Sequence, residues 1–298
     1  MTRLRKHLSL GNLLALPPAS AGYRGTLAEQ LHMLKADGYE SVQSWDGWRS
    51  IQEAGLRASG IARLQHPEQA AAIAEAHADA GLEFTNLHVG TGFESDDAMD
   101  ALADSILQAS ARTGHRLLVE THRATATQDI WRTLRWIERF PDLRFTADLS
   151  HWYTGHELTY GGEFEQRMAH LQPVFERTRA IHGRIGNSGA MQTPLDRPGD
   201  YVAHYRAMWT ALCRGFLHTA DAEETLPFCP ELLPMAVGDP PFWLHYAQST
   251  SAVANDPWQG EPSDRYADAE RLWQLACTCY DEACTQHEQA AQGPPERT

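Results

Sequence analysis

The sequence predicts an α/β fold, a single-domain (β/α)8 TIM barrel, and three observations support this. Strand-like apolar runs alternate with helix-like segments eight times, and no linker-like break interrupts the first ~280 of 298 residues. Alternating strands and helices imply a parallel sheet, and eight units over this length match the usual closed barrel of about 250 residues. A polar side chain that could bind metal also ends four successive strand-like runs, where the chemistry of such barrels is located.

A doubly wound open sheet is the alternative architecture. The sequence disfavours it because no Gly-rich phosphate loop follows the first strand-like run. We expect one barrel domain over residues 1–284. Residues 285–298 end in a polar, Pro-rich stretch, so we expect a disordered C-terminal tail there.

Eight strands are predicted from apolar runs bounded by turn residues. The first follows a basic N-terminal segment, and its interruption by Ser9, Gly11 and Asn12 argues for a strand and against a signal peptide. The predicted strands are residues 8–16, 39–45, 56–61, 82–89, 116–123, 143–152, 180–187 and 226–234.

The helices between these strands are predicted from apolar spacing and from stop residues. In residues 26–37, Leu27, Leu31 and Leu34 recur at helical spacing before Gly38, which ends the helix. Glycine likewise follows the short helix at 48–54, the alanine-rich helix at 67–80 and the long amphipathic helix at 96–113. The remaining predicted helices are residues 127–140, 163–178, 200–218 and 264–282.

The composition is that of a soluble globular protein, with 42% hydrophobic and 21% charged residues and no apolar run near the ~20 residues of a membrane span. The net charge of −14 argues against nucleic acid as a partner, because affinity for phosphate backbones comes from Lys and Arg. Five cysteines without zinc-ribbon or Cys-X-X-Cys spacing are typical of a cytoplasmic protein. The helix at 264–282 offers a surface through which the chain could form a homo-oligomer.

Two predicted strands end in the same combination of a carboxylate and an imidazole. Glu120 ends one apolar run and His122 follows two residues later, so in a strand both side chains point to the same face. Asp148 ends the next run, with His151 just past it. A glutamate at a strand end also caps helices or pairs with arginine in many proteins, so the repetition of the pattern carries the argument.

The last two predicted strands continue the pattern. The seventh carries His182 and Arg184, and the eighth carries Glu231. Because strand ends of a barrel meet at one pocket, Glu120, Asp148, His182 and Glu231 would together supply three oxygen ligands and one imidazole. That set suits one hard or borderline divalent cation; we expect Mn²⁺, with Mg²⁺, Co²⁺ or Zn²⁺ as alternatives.

These motifs resemble those of the xylose-isomerase-like TIM barrels, a family of sugar isomerases and epimerases, inosose dehydratase and apurinic-site endonucleases. Val-Glu-Thr-His at 119–122, Asp-Leu-Ser-His at 148–151, Ile-His-Gly-Arg at 181–184 and Pro-Glu-Leu-Leu-Pro at 230–234 occur in the family's order, and the resemblance covers roughly the whole barrel. It implies that the first carboxylate of each acidic motif and the histidine of the third bind the metal. The chain departs from the family in lacking Gly-Asp or Gly-Glu beside the eighth-strand ligand and in an insertion at 235–262.

The expected chemistry is proton transfer beside a ketone. A ketone and its neighbouring hydroxyl would chelate the cation, which acts as a Lewis acid and stabilises the enediolate formed when a proton leaves the α-carbon. Glu120 and Glu231, on opposite sides of the pocket, would remove and return that proton. Two carboxylates that face one carbon are what an isomerisation or epimerisation requires.

Further side chains at strand ends are candidates for substrate contact. His151 and Arg184 would orient substrate oxygens, and His88 ends the fourth predicted strand. Aromatic side chains that follow strand ends could form the floor of a sugar pocket or simply bury loop surface. The candidate substrate-binding residues are His88, His122, His151, Arg184, Trp45, Trp152 and Trp243.

Three classes of function remain. The first, which the paired glutamates favour, is a metal-dependent isomerase or epimerase of a sugar or sugar-like keto compound. The second is a lyase, a dehydratase or β-eliminase of a keto-sugar or keto-glycoside, which shares the proton abstraction and then expels a leaving group. The third is an apurinic-site endonuclease or a non-catalytic relative. The resemblance implies that an endonuclease of this family would bind three zinc ions through extra histidines on the third strand and an Asp-X-His after the seventh. The third predicted strand here has no histidine, the loop after Asn187 has no Asp-X-His, and the net charge is negative, so this class is disfavoured.

The substrate is expected to be a neutral polyol-like ketone and not a phosphorylated one. The loop at 186–189 contains two glycines and could cradle an anion, but only Arg184 and Arg197 lie near it in the sequence. The stretch after the eighth strand is apolar and aromatic, and Asp239 within it adds negative charge.

Overall fold

A computed structural model describes residues 2–196, 198–238, 240, 242–247, 261 and 263–292 of the chain. The predictions that rest on Arg197, on Asp239 and on residues 248–260 of the insertion lie outside these described residues. Eight parallel strands close into one barrel in chain order, because the first strand pairs with both the second and the eighth. The predicted (β/α)8 barrel is therefore confirmed.

The strands of the barrel are short, and most of their residues are buried. They are β1 (Arg3–Ser9), β2 (Ser41–Ser44), β3 (Arg57–Leu64), β4 (Thr85–Val89), β5 (Leu117–Glu120), β6 (Phe145–Ala147), β7 (Thr178–Gly183) and β8 (Thr225–Pro230). After β8, β9 (Ala236–Val237) and β10 (Phe242–Trp243) form a small antiparallel hairpin within the predicted insertion.

Helices surround the barrel, and local sequence signals explain where several of them begin. Thr26 and Glu29 form a reciprocal capping box at the start of the first helix, and Ser95 caps the fourth. The helices are α1 (Leu27–Ala36), α2 (Trp48–Glu53), α3 (Gln69–Asp79), α4 (Asp96–Thr113), α5 (Ile130–Arg139), α6 (Leu149–Gly155), α7 (Phe164–Ala169), α8 (Gln172–Phe175), α9 (Tyr201–Thr219) and α10 (Arg265–Gln292). None of the helices in the described part of the chain is long and apolar enough to cross a bilayer.

The first strand lies five residues earlier than predicted. The basic residues at the N-terminus are part of β1, because their charges have partners: Arg5 is buried and its Nη1 lies 2.8 Å from Glu83 Oε1. After Ser9 the chain turns into a 3-10 helix, Leu10–Leu13, so the predicted strand at 8–16 is wrong beyond its first two residues. The predicted strand began after these basic residues, and an ion pair that forms only in the fold places Arg5 inside the sheet.

The loop after β1 is fastened to the end of β8. The buried Asn12 donates from Nδ2 to the carbonyl of Pro230 at 2.7 Å, and its Oδ1 accepts from Leu232 N at 2.9 Å. These two bonds hold the backbone on both sides of Glu231, one of the predicted metal ligands.

Several other predicted elements have different boundaries, and three of them bear on the candidate ligands or on the helices beside them. The predicted strand at 143–152 is β6 followed directly by α6, because Asp148 caps that helix by accepting from Ser150 N at 3.0 Å. The predicted helix at 163–178 is two short helices, α7 and α8, with Pro173 in the first turn of α8. The predicted strand at 116–123 ends at Glu120, so His122 lies in a loop.

The closing helix is longer than predicted. It continues to Gln292 instead of ending at 282, so the predicted tail at 285–298 is wrong for residues 285–292. It packs against α9, where Arg206 pairs with Glu282 and Cys279 contacts the Arg206 carbonyl. The remaining residues of that predicted tail, 293–298, lie outside the described residues.

Candidate active site

The four predicted metal ligands meet at the C-terminal end of the barrel. Glu120 is the last residue of β5, Asp148 follows β6, His182 lies in β7 and Glu231 follows β8. Each offers a ligand atom, and these four atoms all lie within 4.8 Å of one another. All four side chains are buried. The structure therefore brings together residues that are 111 positions apart in the chain, as the strand-end pattern predicted.

An imidazole and a guanidinium lie between the three carboxylates. His182 Nδ1 is 3.6 Å from Glu120 Oε1 and 3.4 Å from Glu231 Oε2. Arg184, also fully buried, donates from Nη2 to Glu231 Oε2 at 2.8 Å and to Asp148 Oδ2. Arg184 thus contacts the candidate ligands themselves, in addition to any contact it makes with substrate.

The chemistry of these four residues fits a divalent cation. Glu120 Oε1 and both ring nitrogens of His182 are buried and have no hydrogen-bond partner in the described part of the chain. Three buried carboxylates face one guanidinium and one imidazole, so one negative charge remains to be balanced even when His182 is protonated. Buried charge is stable only when it is paired or bound to metal. Three oxygens and one nitrogen suit Mn²⁺ or Mg²⁺ better than zinc, which usually takes more nitrogen or sulfur.

The surrounding charges keep both glutamates ionised. Burial raises the pKa of Glu120, but the neighbouring His88 and His182 outweigh burial and hold that pKa well below its usual range. Burial also raises the pKa of Glu231, whereas His182 and Arg184 bring it below the usual range. Both carboxylates are therefore charged at neutral pH, as a cation ligand or a proton acceptor must be.

The pKa values of Asp148 and His182 shift upwards. Burial raises the pKa of Asp148; Arg184 opposes this rise, but Glu120 and Glu231 add to it. Burial lowers the pKa of His182, but Glu231 and Glu120 beside it raise the pKa well above its usual value. An imidazole must be neutral to bind a cation, so a cation bound at His182 would displace a proton from its ring.

Two side chains of β4 hold Glu120 in place. Asn86 donates from Nδ2 to Glu120 Oε2, and His88 Nε2 lies 2.9 Å from the same oxygen. Asn86 and His88 are two residues apart in a strand, so they share a face. Sequence analysis selected His88 and missed Asn86; the available signal was a second polar residue on the same face of the strand.

Three imidazole rings lie in a row beside Glu120. The ring centroids of His88 and His122 are 4.6 Å apart, and those of His122 and His151 are 3.8 Å apart. Burial lowers the pKa of His122 to about 4 and holds that of His151 well below its usual value, so both rings are neutral at neutral pH. His151 Nε2 is 3.6 Å from Asp148 Oδ2. His88, Glu120 and His122 also form a second group whose ligand atoms lie within 4.8 Å of one another.

Glu231 and Arg184 open onto a cavity of about 670 Å³. The β9–β10 hairpin and the residues just after it cover one side of this cavity with the side chains of Val237, Phe242, Leu244 and Tyr246. The Tyr246 ring lies 5.0 Å from the guanidinium of Arg184 and 4.9 Å from that of Arg123. The described part of the insertion at 235–262 therefore forms a wall of the candidate active site.

The three tryptophans proposed as substrate contacts differ in position. Trp45 lines the cavity and its ring is edge-on to His88, with centroids 5.7 Å apart. Trp152 is fully buried in the core and donates from Nε1 to a backbone carbonyl, so its predicted contact with substrate is wrong. Trp243 is half-exposed and does not line the cavity; its neighbour Phe242 does. The hairpin turns alternate side chains to opposite faces, and sequence analysis chose the wrong face.

Solved structures of xylose isomerase-like TIM barrel proteins share this fold. No protein-family model and no curated protein sequence matches the chain. The resemblance predicted from the motifs is confirmed at the level of the fold.

Three solved structures illustrate this likeness. The probable 3-DHS dehydratase AsbF from Bacillus anthracis has a TM-score of 0.52 and 12% identity, covering 77% of this chain and 93% of its own. A xylose isomerase-like TIM barrel protein from Mycobacterium smegmatis in complex with magnesium has a TM-score of 0.50 and 10% identity. The match covers 93% of this chain and 97% of that protein's chain. A xylose isomerase domain protein from Planctomyces limnophilus has a TM-score of 0.50 and 14% identity. The match covers 93% of this chain and 98% of that protein's chain. At these identities the likeness shows the fold alone.

Proposed function

We propose that this protein is a divalent-metal-dependent isomerase or epimerase of a sugar or sugar-like keto compound. The observation that carries the proposal is the group of Glu120, Asp148, His182 and Glu231, whose ligand atoms lie within 4.8 Å of one another and of which Glu231 lines the cavity. Neighbours of the same fold include a magnesium complex and a probable dehydratase, which supports metal-assisted chemistry on hydroxylated substrates. We propose Mn²⁺ as the cation.

The side chains of the site divide the work of proton transfer. A bound cation would act as a Lewis acid toward a carbonyl oxygen and lower the cost of negative charge there. Glu231 lines the cavity and is ionised, so it is placed to accept the proton from the carbon next to that carbonyl. Arg184 holds the Glu231 carboxylate in position. Glu120 is fully buried behind the cavity lining, and one of its oxygens has no hydrogen-bond partner among the described side chains, so we propose it as the group that returns the proton.

An unphosphorylated substrate agrees with the loop that follows β7. Asn187 Oδ1 accepts hydrogen bonds from the backbone N–H groups of Gly189 at 2.8 Å and Ala190 at 2.7 Å. These donors, which a phosphate would need, are already used by the chain itself.

A lyase is the second candidate, and the row of imidazoles favours it. His122 lines the cavity, and its neutral ring can accept the proton from the α-carbon, or carry a proton to a leaving hydroxyl group. In a dehydration the C–H bond breaks at the α-carbon, its electron pair forms the new double bond, the C–O bond at the β-carbon breaks, and the protonated hydroxyl departs as water.

Product mass and solvent exchange separate the two candidates. We expect the Mn²⁺-loaded protein, incubated in D2O with a panel of ketoses and keto-glycosides, to place one deuterium at the α-carbon of a product that otherwise keeps the substrate's mass. A product lighter by one water would establish the lyase instead. No deuterium uptake and no product with any member of the panel would contradict both.

A further inference from the structure

A tyrosine from the insertion lies beside Arg184 at the cavity. Tyr246 follows β10 and lines the cavity, as Arg184 and Glu231 do. The centre of its ring is 5.0 Å from the guanidinium carbon of Arg184, and Arg184 in turn donates from Nη2 to Glu231 Oε2 at 2.8 Å. Tyr246 and Glu231 therefore contact the same guanidinium. The insertion brings a phenol to the side of the cavity that holds the proposed base.

The ring of Tyr246 is held by three neighbours. Arg184 and Arg123 make cation–π contacts with it, at 5.0 and 4.9 Å. The His151 ring meets it edge-on, with centroids 5.9 Å apart. All of these contacts are made by the ring, and no residue that the structure describes forms a hydrogen bond with the hydroxyl group. The ring is thus fixed while the hydroxyl group stays available to a ligand.

The backbone that leads to Tyr246 adopts an unusual conformation. His245 has a φ of +50°, in the left-handed region that residues with a side chain rarely occupy, and its ring stacks on Trp243 with centroids 5.4 Å apart. The carbonyl of Tyr246 accepts a hydrogen bond from Gln192 N at 3.0 Å. Such conformations persist where the surrounding structure enforces them, and they concentrate at functional sites. The turn at His245 therefore sets where Tyr246 meets the cavity.

The phenol of Tyr246 carries its proton at neutral pH. Burial raises the pKa of Tyr246 above its usual value, and the guanidinium groups of Arg184 and Arg123 only partly oppose this rise. Arg184 cannot release a proton, and the ionised Glu231 has none to release. Of these three neighbouring side chains, only Tyr246 can give a proton to a substrate oxygen and later take one back.

We propose that Tyr246 is a catalytic residue that carries a proton between the two oxygens of the substrate's enediol group. This role deepens the proposed function and rests on it. It selects isomerisation, in which the carbonyl group moves to the neighbouring carbon. In an epimerisation the proton returns to the same carbon, so no proton has to pass from one oxygen to the other.

The proton transfers balance over the reaction. Glu231 removes the proton from the α-carbon, and the electron pair of that C–H bond forms a C=C bond to the carbonyl carbon. The carbonyl oxygen gains the negative charge and receives the proton of the Tyr246 hydroxyl group. The tyrosinate then takes the proton of the hydroxyl group on the α-carbon, whose oxygen becomes the new carbonyl. The electron pair of the C=C bond takes up a proton at the former carbonyl carbon.

Tyr246→Phe tests this role because it removes the hydroxyl group and keeps the ring. The Mn²⁺-loaded variant is incubated in D2O with the panel of ketoses and keto-glycosides. We expect recovered substrate to gain deuterium at its α-carbon at no less than about a tenth of the wild-type rate, while isomer formation falls by about 10²- to 10⁴-fold. The matched control is Tyr160→Phe, which should change neither rate. Tyr160 is exposed, does not line the cavity, and also has an arginine near its ring, Arg167 at 6.0 Å.

Binding of glycolohydroxamate gives a second measurement that needs no turnover. This planar anion presents two adjacent oxygens, as an enediolate does. By isothermal titration calorimetry, Mn²⁺-loaded Tyr246→Phe should bind it about 10- to 100-fold more weakly than the wild-type protein, the range of one hydrogen bond to a charged group. Thermal stability should be unchanged, because the ring contacts remain. Lower stability with unchanged affinity would make Tyr246 a structural residue.

The outcomes separate this inference from the proposed function. Isomer formation that survives in Tyr246→Phe, or deuterium exchange and isomer formation that fall together, would overturn the role of Tyr246. A wild-type protein that exchanges the α-hydrogen and yields only an epimer would also overturn it, and would leave the proposed function standing. A wild-type protein that exchanges no hydrogen would contradict both.

Discussion

Replacing Glu231 by glutamine should lower turnover by about 10²- to 10⁴-fold while the protein keeps its cation. Glutamine retains an oxygen at the ligand position but cannot accept a proton at neutral pH. The wild-type carboxylate is ionised because His182 and Arg184 outweigh the effect of burial on its pKa, and it lines the cavity where substrate would lie. Measurements of kcat and of bound metal on the same preparation test this expectation.

Two comparison variants make the result specific. Asp148→Ala removes a ligand that does not line the cavity, so it should lose metal, and excess Mn²⁺ should restore part of its turnover. Glu223→Gln makes the same chemical change at an exposed position before β8 and should leave both quantities unchanged. If Glu231→Gln and Asp148→Ala lost metal equally and turnover followed occupancy alone, Glu231 would be a ligand and not the base.

Replacing Arg184 by methionine should destabilise the metal-free protein by about 3–5 kcal/mol. Arg184 is fully buried and its Nη2 contacts both Asp148 and Glu231, so its removal leaves buried carboxylates without their cationic partner. Saturating Mn²⁺ should shrink this loss, because a bound cation neutralises the same carboxylates. Chemical unfolding with EDTA and with Mn²⁺ measures both values.

Arg179→Met is the matched control for this effect. Arg179 is buried at the other end of β7 and lies 3.3 Å from Glu224, remote from the metal ligands. Its loss should cost the same stability with and without Mn²⁺. A deficit in Arg184→Met that Mn²⁺ does not change would mean that the cation does not share the carboxylates that Arg184 contacts.

The barrel, and the meeting of the four candidate ligands at one end of it, could be predicted from the sequence because both follow from a repeating pattern of residues. The barrel repeats one strand–helix unit, and its strand ends necessarily face one pocket, so a carboxylate or imidazole at each end was enough to place Glu120, Asp148, His182 and Glu231 together. The element boundaries depended on tertiary contacts that leave no periodic signal. Arg5 belongs to a strand because Glu83 lies beside it in the fold.

The walls of the cavity were harder to predict than its ligands. Trp152 and Trp243 follow strand ends as Trp45 does, yet only Trp45 reaches the cavity, because the choice of face depends on short helices and hairpins that the strand pattern does not describe. Asn86 is an ordinary polar residue until its burial is known. Its significance comes from its contact with the Glu120 carboxylate, and that contact exists only in the folded chain.

The central claim is that Glu120, Asp148, His182 and Glu231 bind one divalent cation. Inductively coupled plasma mass spectrometry of the protein, loaded with Mn²⁺ and then dialysed, measures this directly. The account predicts one divalent ion per wild-type chain and a large loss of that ion in His182→Ala, with no loss in His204→Ala, a histidine of α9 outside the site. An empty wild-type protein, or a His182→Ala variant that retains the ion as well as wild type does, would contradict it.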